Sequence, residues 1–191
     1  LDKTEQNLLK MTMPGRGRVQ KFLHDAKKAG CEYVFLEVTS EGIKQFRHRF
    51  IKFDIALVSN VAPEHLEAHG SFEKYLRAKL DLFWRLPKDG IAVINRDDPN
   101  CERFSAATAA HKIYYSRDAI EISPHYRGLA SIVTDESGIS FDIDDVSVTS
   151  PMLGEFNFYN ILAAVAAGLS RHIALEKIAE AVSRIPGIPG R

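Results

Sequence analysis

Apolar residues recur at helical spacing over residues 17–29, where Val19, Phe22, Leu23 and Ala26 share one face and Gly30 closes the run. Residues 31–38, CEYVFLEV, form a near-continuous apolar stretch that predicts a buried strand, with Glu37 at its carboxyl end. A polar segment over 39–50 leads to a second apolar strand at 53–59, centred on IALV. Two such strands joined by a compact connection predict neighbours in a parallel sheet. A helix follows over 71–84, with Ser71 as N-cap, Glu73 in the first turn, and Phe72, Leu76, Leu80 and Phe83 along one face. The turn PKDG, a strand at 91–94, the loop NRDDPN, a short helix over 101–107 and a strand at 112–115 continue the alternation.

After about residue 118 the pattern changes. Short alternating runs at 129–134, 139–143 and 146–149, broken by Asp135, Ser137 and Gly138, predict an antiparallel excursion. GEFNFYNILAAVAAGL then returns to helix, and a last helix over 174–185 carries Leu175, Ile178, Ala179 and Val182. The fold class that follows is α/β: a three-layer, mostly parallel sheet flanked by helices, with a small antiparallel extension at about 129–149. Residues 1–185 are expected to form one domain, and PGIPGR at 186–191 reads as a linker.

Composition narrows the function. With 25 basic and 25 acidic residues the formal net charge is +0, which argues against general binding to nucleic acid or to an anionic membrane. Cys31 and Cys101 show no paired spacing, as in a reducing compartment. No apolar run is long enough to span a bilayer and no signal-like segment opens the chain, so the expected setting is the cytoplasm.

The chemistry concentrates after the second strand, where Asn60, Glu64, His65 and His69 precede the helix that carries Lys79. Polar groups at the carboxyl ends of strands are where open α/β sheets place their sites. Taken singly, each residue keeps two readings. Glu37 is a cation ligand or a salt-bridge partner, and His65 is a ligand or an ordinary hydrogen-bonding loop residue. Lys79, one turn beyond Tyr75 at the border of the apolar stripe, is a functional amine or a lysine that keeps its charge in water. Asn157 and Asn160, three apart on one helix, are base-reading amides or a cap and a solvent amide. Arg16, Arg18, Arg47 and Arg49 are contacts for an anionic substrate or a solvated face.

Five segments in order, VFLEVTSEGI, VSNVAPEHLEAHGSFEKYLRAK, VINRDDPN, GEFNFYNILAAVAA and GIPGR, resemble the central ATP-binding domain of the Mur ligase family. These are ATP-dependent amide ligases of peptidoglycan synthesis, related to folylpolyglutamate synthase. Within the family the likeness is greatest to members that add the third amino acid to UDP-N-acetylmuramoyl-dipeptide. The resemblance implies that Glu37 and His65 bind Mg2+, that Lys79 is the lysine carbamylated in the family, and that Asn60, Asn157, Asn160 and Arg191 meet ATP. It also implies small-molecule partners: a nucleotide, a UDP-sugar peptide or similar carboxylate, and an amino acid. No nucleic acid or membrane partner is implied, and a monomer or weak homo-oligomer is expected.

The sequence departs from the family in three places. Glu64 replaces an aspartate before His65, Thr39-Ser40-Glu41 stands where the tripeptide-forming members have Ser-Ser-His, and MTMPGR replaces a Thr-Thr-Pro contact. No G-x-x-x-x-G-K-[ST] sequence occurs in the 191 residues, and the resemblance implies that the sugar-binding and amino-acid-bringing domains lie outside them. The chain is therefore expected to be inactive by itself. A folylpolyglutamate- or cyanophycin-type ligase and a noncatalytic nucleotide-binding module stand as the alternatives.

Overall fold

The structure is a computed structural model that describes residues 13–62 and 70–185. The chain divides into two compact units, Leu1–Lys52 with Pro63–Leu82 and Phe53–Ala62 with Phe83–Arg191.

The first unit holds helices α1 (Arg16–Lys28) and α2 (Ser40–Lys44) and most of α3 (Phe72–Trp84). Helix α1 buries Val19 and Ala26, two turns apart on one face, and ends with Lys27 and Lys28 at the negative end of its dipole. Thr39 caps α2, its hydroxyl accepting the Gly42 N–H at 3.0 Å. A Cβ at Gly42 would lie 2.6 Å from the sulfur of buried Met13, so that flexible side chain would have to shift to admit one. His48 is buried with Nε2 at 3.0 Å from the Asp81 carboxylate of α3.

The strand expected over 31–38 is not formed. Tyr33 is 53% exposed and Phe35 89%. The composition suits a strand, but a strand exists only with a partner, and no described strand pairs with this run. It is accordingly not the neighbour of the IALV strand, whose hydrogen-bonded neighbour lies later in the chain.

The second unit is built on one seven-stranded sheet in which spatial order follows chain order. Its strands are β1 (Ile55–Val58), β2 (Ile91–Asn95), β3 (His111–Tyr115), β4 (Ala119–Ile122), β5 (His125–Asp135), β6 (Gly138–Ile143) and β7 (Val146–Ser150). Pairs β1–β2 and β2–β3 are parallel, with Val58 opposite Ile94 and Ile94 opposite Tyr114. The remaining four pairings are antiparallel, so the sheet is mixed rather than mostly parallel.

The switch comes earlier than the sequence pattern predicts because Ser116 reverses the chain directly after β3. Its N–H donates to the Ala119 carbonyl at 2.9 Å, and its hydroxyl oxygen accepts from the N–H groups of Asp118 and Ala119 at 3.2 and 3.1 Å. Between β5 and β6, Asp135 holds a tight turn by accepting from the N–H and hydroxyl of Ser137 at 2.8 and 2.6 Å. Gly138 follows at φ +135, and a Cβ there would sit 2.2 Å from the Ser150 carbonyl oxygen.

Three further helices cover the sheet: α4 (Cys101–Ala106), α5 (Glu155–Ser170) and α6 (Leu175–Ser183). Helix α5 packs on the first four strands, α6 on β7 and α5, and α4 on β2. Val93 of β2 joins the core around α5, whereas Ala92 and Ile94, which point the other way, are as fully buried. Both faces of β2 are thus covered, as a parallel strand in a layered α/β fold requires. No helix among the described residues is long and apolar enough to cross a membrane.

Candidate functional site at the carboxyl ends of the parallel strands

The carboxyl ends of β1 and β2 face the first turns of α5 across a concavity of about 390 Å³. Asn60 and Asn95 come from the strand ends, Asp97 and Asp98 from the loop after β2, and Glu155, Phe156 and Tyr159 from α5. Helix α5 starts abruptly because Gly154 takes φ +88, which leaves Phe156 folded back over it: a Cβ at 154 would meet that ring at 2.9 Å. Phe156 is 55% exposed, an aromatic face offered to the site.

The site is held by polar contacts at its rim. Asp97 accepts the Tyr159 hydroxyl at 3.0 Å and the Arg117 N–H at 2.8 Å, both on one carboxylate oxygen. The Arg117 guanidinium reaches Glu155 at 2.9 Å and lies 5.4 Å from the Phe158 ring centroid. Burial, followed by the Asp97 hydrogen bond, pushes the Tyr159 phenol up to about 12. At neutral pH it is therefore a donor, and it ties α5 to the loop after β2. Burial also raises the Tyr115 phenol, whose hydroxyl donates to the Val58 carbonyl at 3.0 Å.

Of the residues expected at a nucleotide site, Asn60 lies in this concavity. Asn157 does not. It is buried, donates to the Leu153 carbonyl at 2.8 Å and accepts from Asn160 at 3.2 Å, so the two amides are engaged with the helix and with each other. Asn160 is exposed. The sequence reading assigned no role to Asn95, Asp97, Asp98 or Tyr159. The available signal was NRDDPN, four amide or carboxylate side chains directly after a parallel strand.

In the first unit, Glu37 is exposed rather than at the end of a buried strand. Lys79 is half-buried with Nζ 5.1 Å from the Tyr75 ring centroid. Arg47 is tied to the Met13 carbonyl and, at 2.5 and 3.0 Å, to Gln45, and Arg49 stacks 4.4 Å over Phe46. Arg47 is a local strut more than a contact for an anionic substrate. Among the described residues no three His, Cys, Asp or Glu side chains gather as a metal cluster. Glu64, His65, His69 and Arg191 lie outside the described residues.

Comparison with known proteins agrees over most of the chain. The family signature described as "Mur ligase middle domain" matches residues 3–168. The chain is 37% identical over 188 residues to the UDP-N-acetylmuramoyl-L-alanyl-D-glutamate--2,6-diaminopimelate ligase of Gloeobacter violaceus, covering 94% of this chain and 37% of that protein. To the protein of the same name in Chlamydia felis it is 32% identical over 185 residues, with the same coverage of 94% and 37%. A solved structure of a ligase of that name superposes with a TM-score of 0.78 at 30% identity, over 91% of this chain and 37% of the other. A pseudomurein peptide ligase type C from Methanothermus fervidus, at 21% identity and a TM-score of 0.59, shares the fold over 81% of this chain and 38% of its own. The chain thus spans 37% of the length of the first two relatives. With the signature running through both units, and the α/β fold of a solved ligase reproduced, the chain belongs to the Mur ligase family, through its middle domain.

Proposed function

We propose that this chain is the nucleotide-handling domain of an ATP-dependent ligase that joins an amino acid, diaminopimelate in the relatives' pattern, to a UDP-N-acetylmuramoyl-peptide carboxylate. The observation that carries the reading is the match over 94% of the chain to ligases named for that reaction. The reaction class requires the carboxylate to attack the γ-phosphorus of ATP, releasing ADP and forming an acyl phosphate, and the incoming amine then to attack the acyl carbon, losing a proton and displacing phosphate as the amide forms. ATP and a UDP-sugar peptide are cytoplasmic substrates, and we place the reaction there.

The concavity fits a nucleoside better than a triphosphate. Asp97 and Glu155, the latter paired with Arg117, are rim carboxylates that suit donors such as ribose hydroxyls or an exocyclic amine. The exposed Phe156 ring offers a stacking face, and the Asn60 amide both donates and accepts. Asn157 and Asn160 support the start of α5, where these groups sit. Magnesium, when bound, offsets charge on the phosphate oxygens. As a hard cation that keeps several waters it needs few protein ligands, and the exposed Glu37 carboxylate suits one position, with His65 the second in our reading. Lys79 is assigned to the same function as a carbamate, which intact mass measurement after bicarbonate treatment tests directly. An unmodified Lys79 in the active ligase refutes that assignment.

Lacking a phosphate-cradling G-x-x-x-x-G-K-[ST] sequence, the 191-residue chain is expected to bind ATP without releasing phosphate. The test assays this chain, and the same chain within the longer relatives' domain arrangement, for phosphate release with UDP-muramoyl-dipeptide and a panel of amino acids. Turnover of the longer form that depends on both muramoyl peptide and diaminopimelate supports the reading. Turnover only with a folyl or polypeptide acceptor, or none with any acceptor, refutes it.

A further inference from the structure

We propose that Asp98, Asn95 and Tyr115 are positioning residues that clamp the backbone on both sides of Asn60, so that its amide is presented to the nucleotide in one orientation. The inference rests on the reading of Asn60 as a nucleotide contact. Three side chains from β2, its following loop and β3 converge on residues 58–61. Asp98 accepts the Val61 N–H at 2.7 Å on one carboxylate oxygen, and on the other it accepts the backbone and side-chain N–H groups of Asn100 at 2.7 and 3.1 Å. Asn95 donates to the Ser59 carbonyl at 2.8 Å while its own oxygen accepts the Asp97 N–H at 2.9 Å. The Tyr115 hydroxyl donates to the Val58 carbonyl at 3.0 Å and approaches that of Ser59 at 3.4 Å.

These contacts begin where the strand ladder stops. The parallel register of β1 with β2 ends at Val58 opposite Ile94. Beyond it a surface loop would ordinarily leave its backbone groups to water. Here the partners are side chains that are 5%, 8% and 0% exposed at Asn95, Asp98 and Tyr115. Burying a carboxylate is unfavourable unless several donors meet it, and water would satisfy the Val61 N–H without that penalty. What the clamp adds is geometry. Ser59 and Val61 are both held, and exposed Asn60 stands between them at the edge of the site. No residue of the clamp need touch the nucleotide.

The test uses the 191-residue chain at a temperature where each variant is folded by circular dichroism. Amide exchange at Val61 should speed at least tenfold in Asp98→Ala. ATP affinity, read by titration, should fall about tenfold in Asp98→Ala and about tenfold in Asn60→Ala. The double variant should bind no more weakly than the weaker single, because one substitution acts through the other. Tyr115→Phe, which keeps the buried ring and removes only the donor, serves if Asp98→Ala fails to fold, with a several-fold loss and the same lack of additivity. Losses that multiply in the double variant, or Val61 exchange unchanged by Asp98→Ala, overturn the proposal. Full ATP affinity in Asn60→Ala, together with faster Val61 exchange in Asp98→Ala, counts against the nucleotide role of Asn60 and for the clamp.

Discussion

Phe156 and Phe158 lie two residues apart on α5, about 200° around the helix at 3.6 residues per turn, and so set up a controlled comparison. Phe158 is 0% exposed and meets Phe141 edge-on at 5.3 Å and Tyr159 at 5.5 Å between ring centroids. Truncating it to Ala removes the transfer free energy of the ring and leaves a cavity under the sheet, together about 3–5 kcal/mol. The two edge-on ring contacts, each about 0.5–1.5 kcal/mol beyond area burial, fall within that range. At roughly 2–4 °C per kcal/mol for a chain of this size, the melting temperature should drop by about 6–20 °C. Phe156→Ala, at 55% exposure, should stay within about 0.5 kcal/mol. Urea unfolding followed by circular dichroism, with calorimetry for the melting temperature, measures both variants. Similar costs for the two, or a cost under about 1 kcal/mol for Phe158→Ala, would refute the placement of α5 on the sheet.

Gly138→Ala should destabilise the second unit by more than the roughly 1–3 kcal/mol of backbone strain at its positive φ, because the added methyl also meets the Ser150 carbonyl oxygen. Thermal melts check this, and a loss under 1 kcal/mol, well short of that strain estimate, would sink the argument. Tyr159 titrates late, at about 12 against an ordinary 10.0, so the fold favours its neutral phenol. Its contribution to stability is whole below pH 10 and fades as pH rises toward about 12. In an ultraviolet titration Tyr159→Phe should delete a late phenol ionisation. Deletion of an ordinary one instead would show that in solution the phenol is not held in this buried, Asp97-bonded position.

The elements legible in the sequence are those whose signal is local. Helices α1, α3, α5 and α6 follow from apolar periodicity, and the short turns of β5 to β7 from Asp135, Ser137 and Gly138. Residues 31–38 misled because composition reports a liking for strand, while pairing depends on which other segment is adjacent. Strand β4 went unread because AIEI is interrupted by a glutamate and introduced by a Ser116 turn whose hydrogen bonds the spacing does not display. Asn60, singled out from its position after an apolar strand, does line the concavity. Asp98 was not singled out, since its acceptor role joins groups 37 residues apart. Asn157 and Asn160 were rightly seen as neighbours, yet their amides turn to Leu153 and to each other.

Each strand of the seven neighbours the next one in the chain, and this arrangement bears on how the second unit is made. The four antiparallel pairings close short loops, which carry little entropic penalty and form quickly. The parallel pairings wait for longer connections, such as the one that brings Ile91 beside Ile55. On a ribosome, β1 therefore emerges well before its partner and must stay unaggregated until β2 and β3 arrive. The β4 to β7 meander, by contrast, can zip as it leaves the exit tunnel and present a finished apolar face to α5, the next helix to appear.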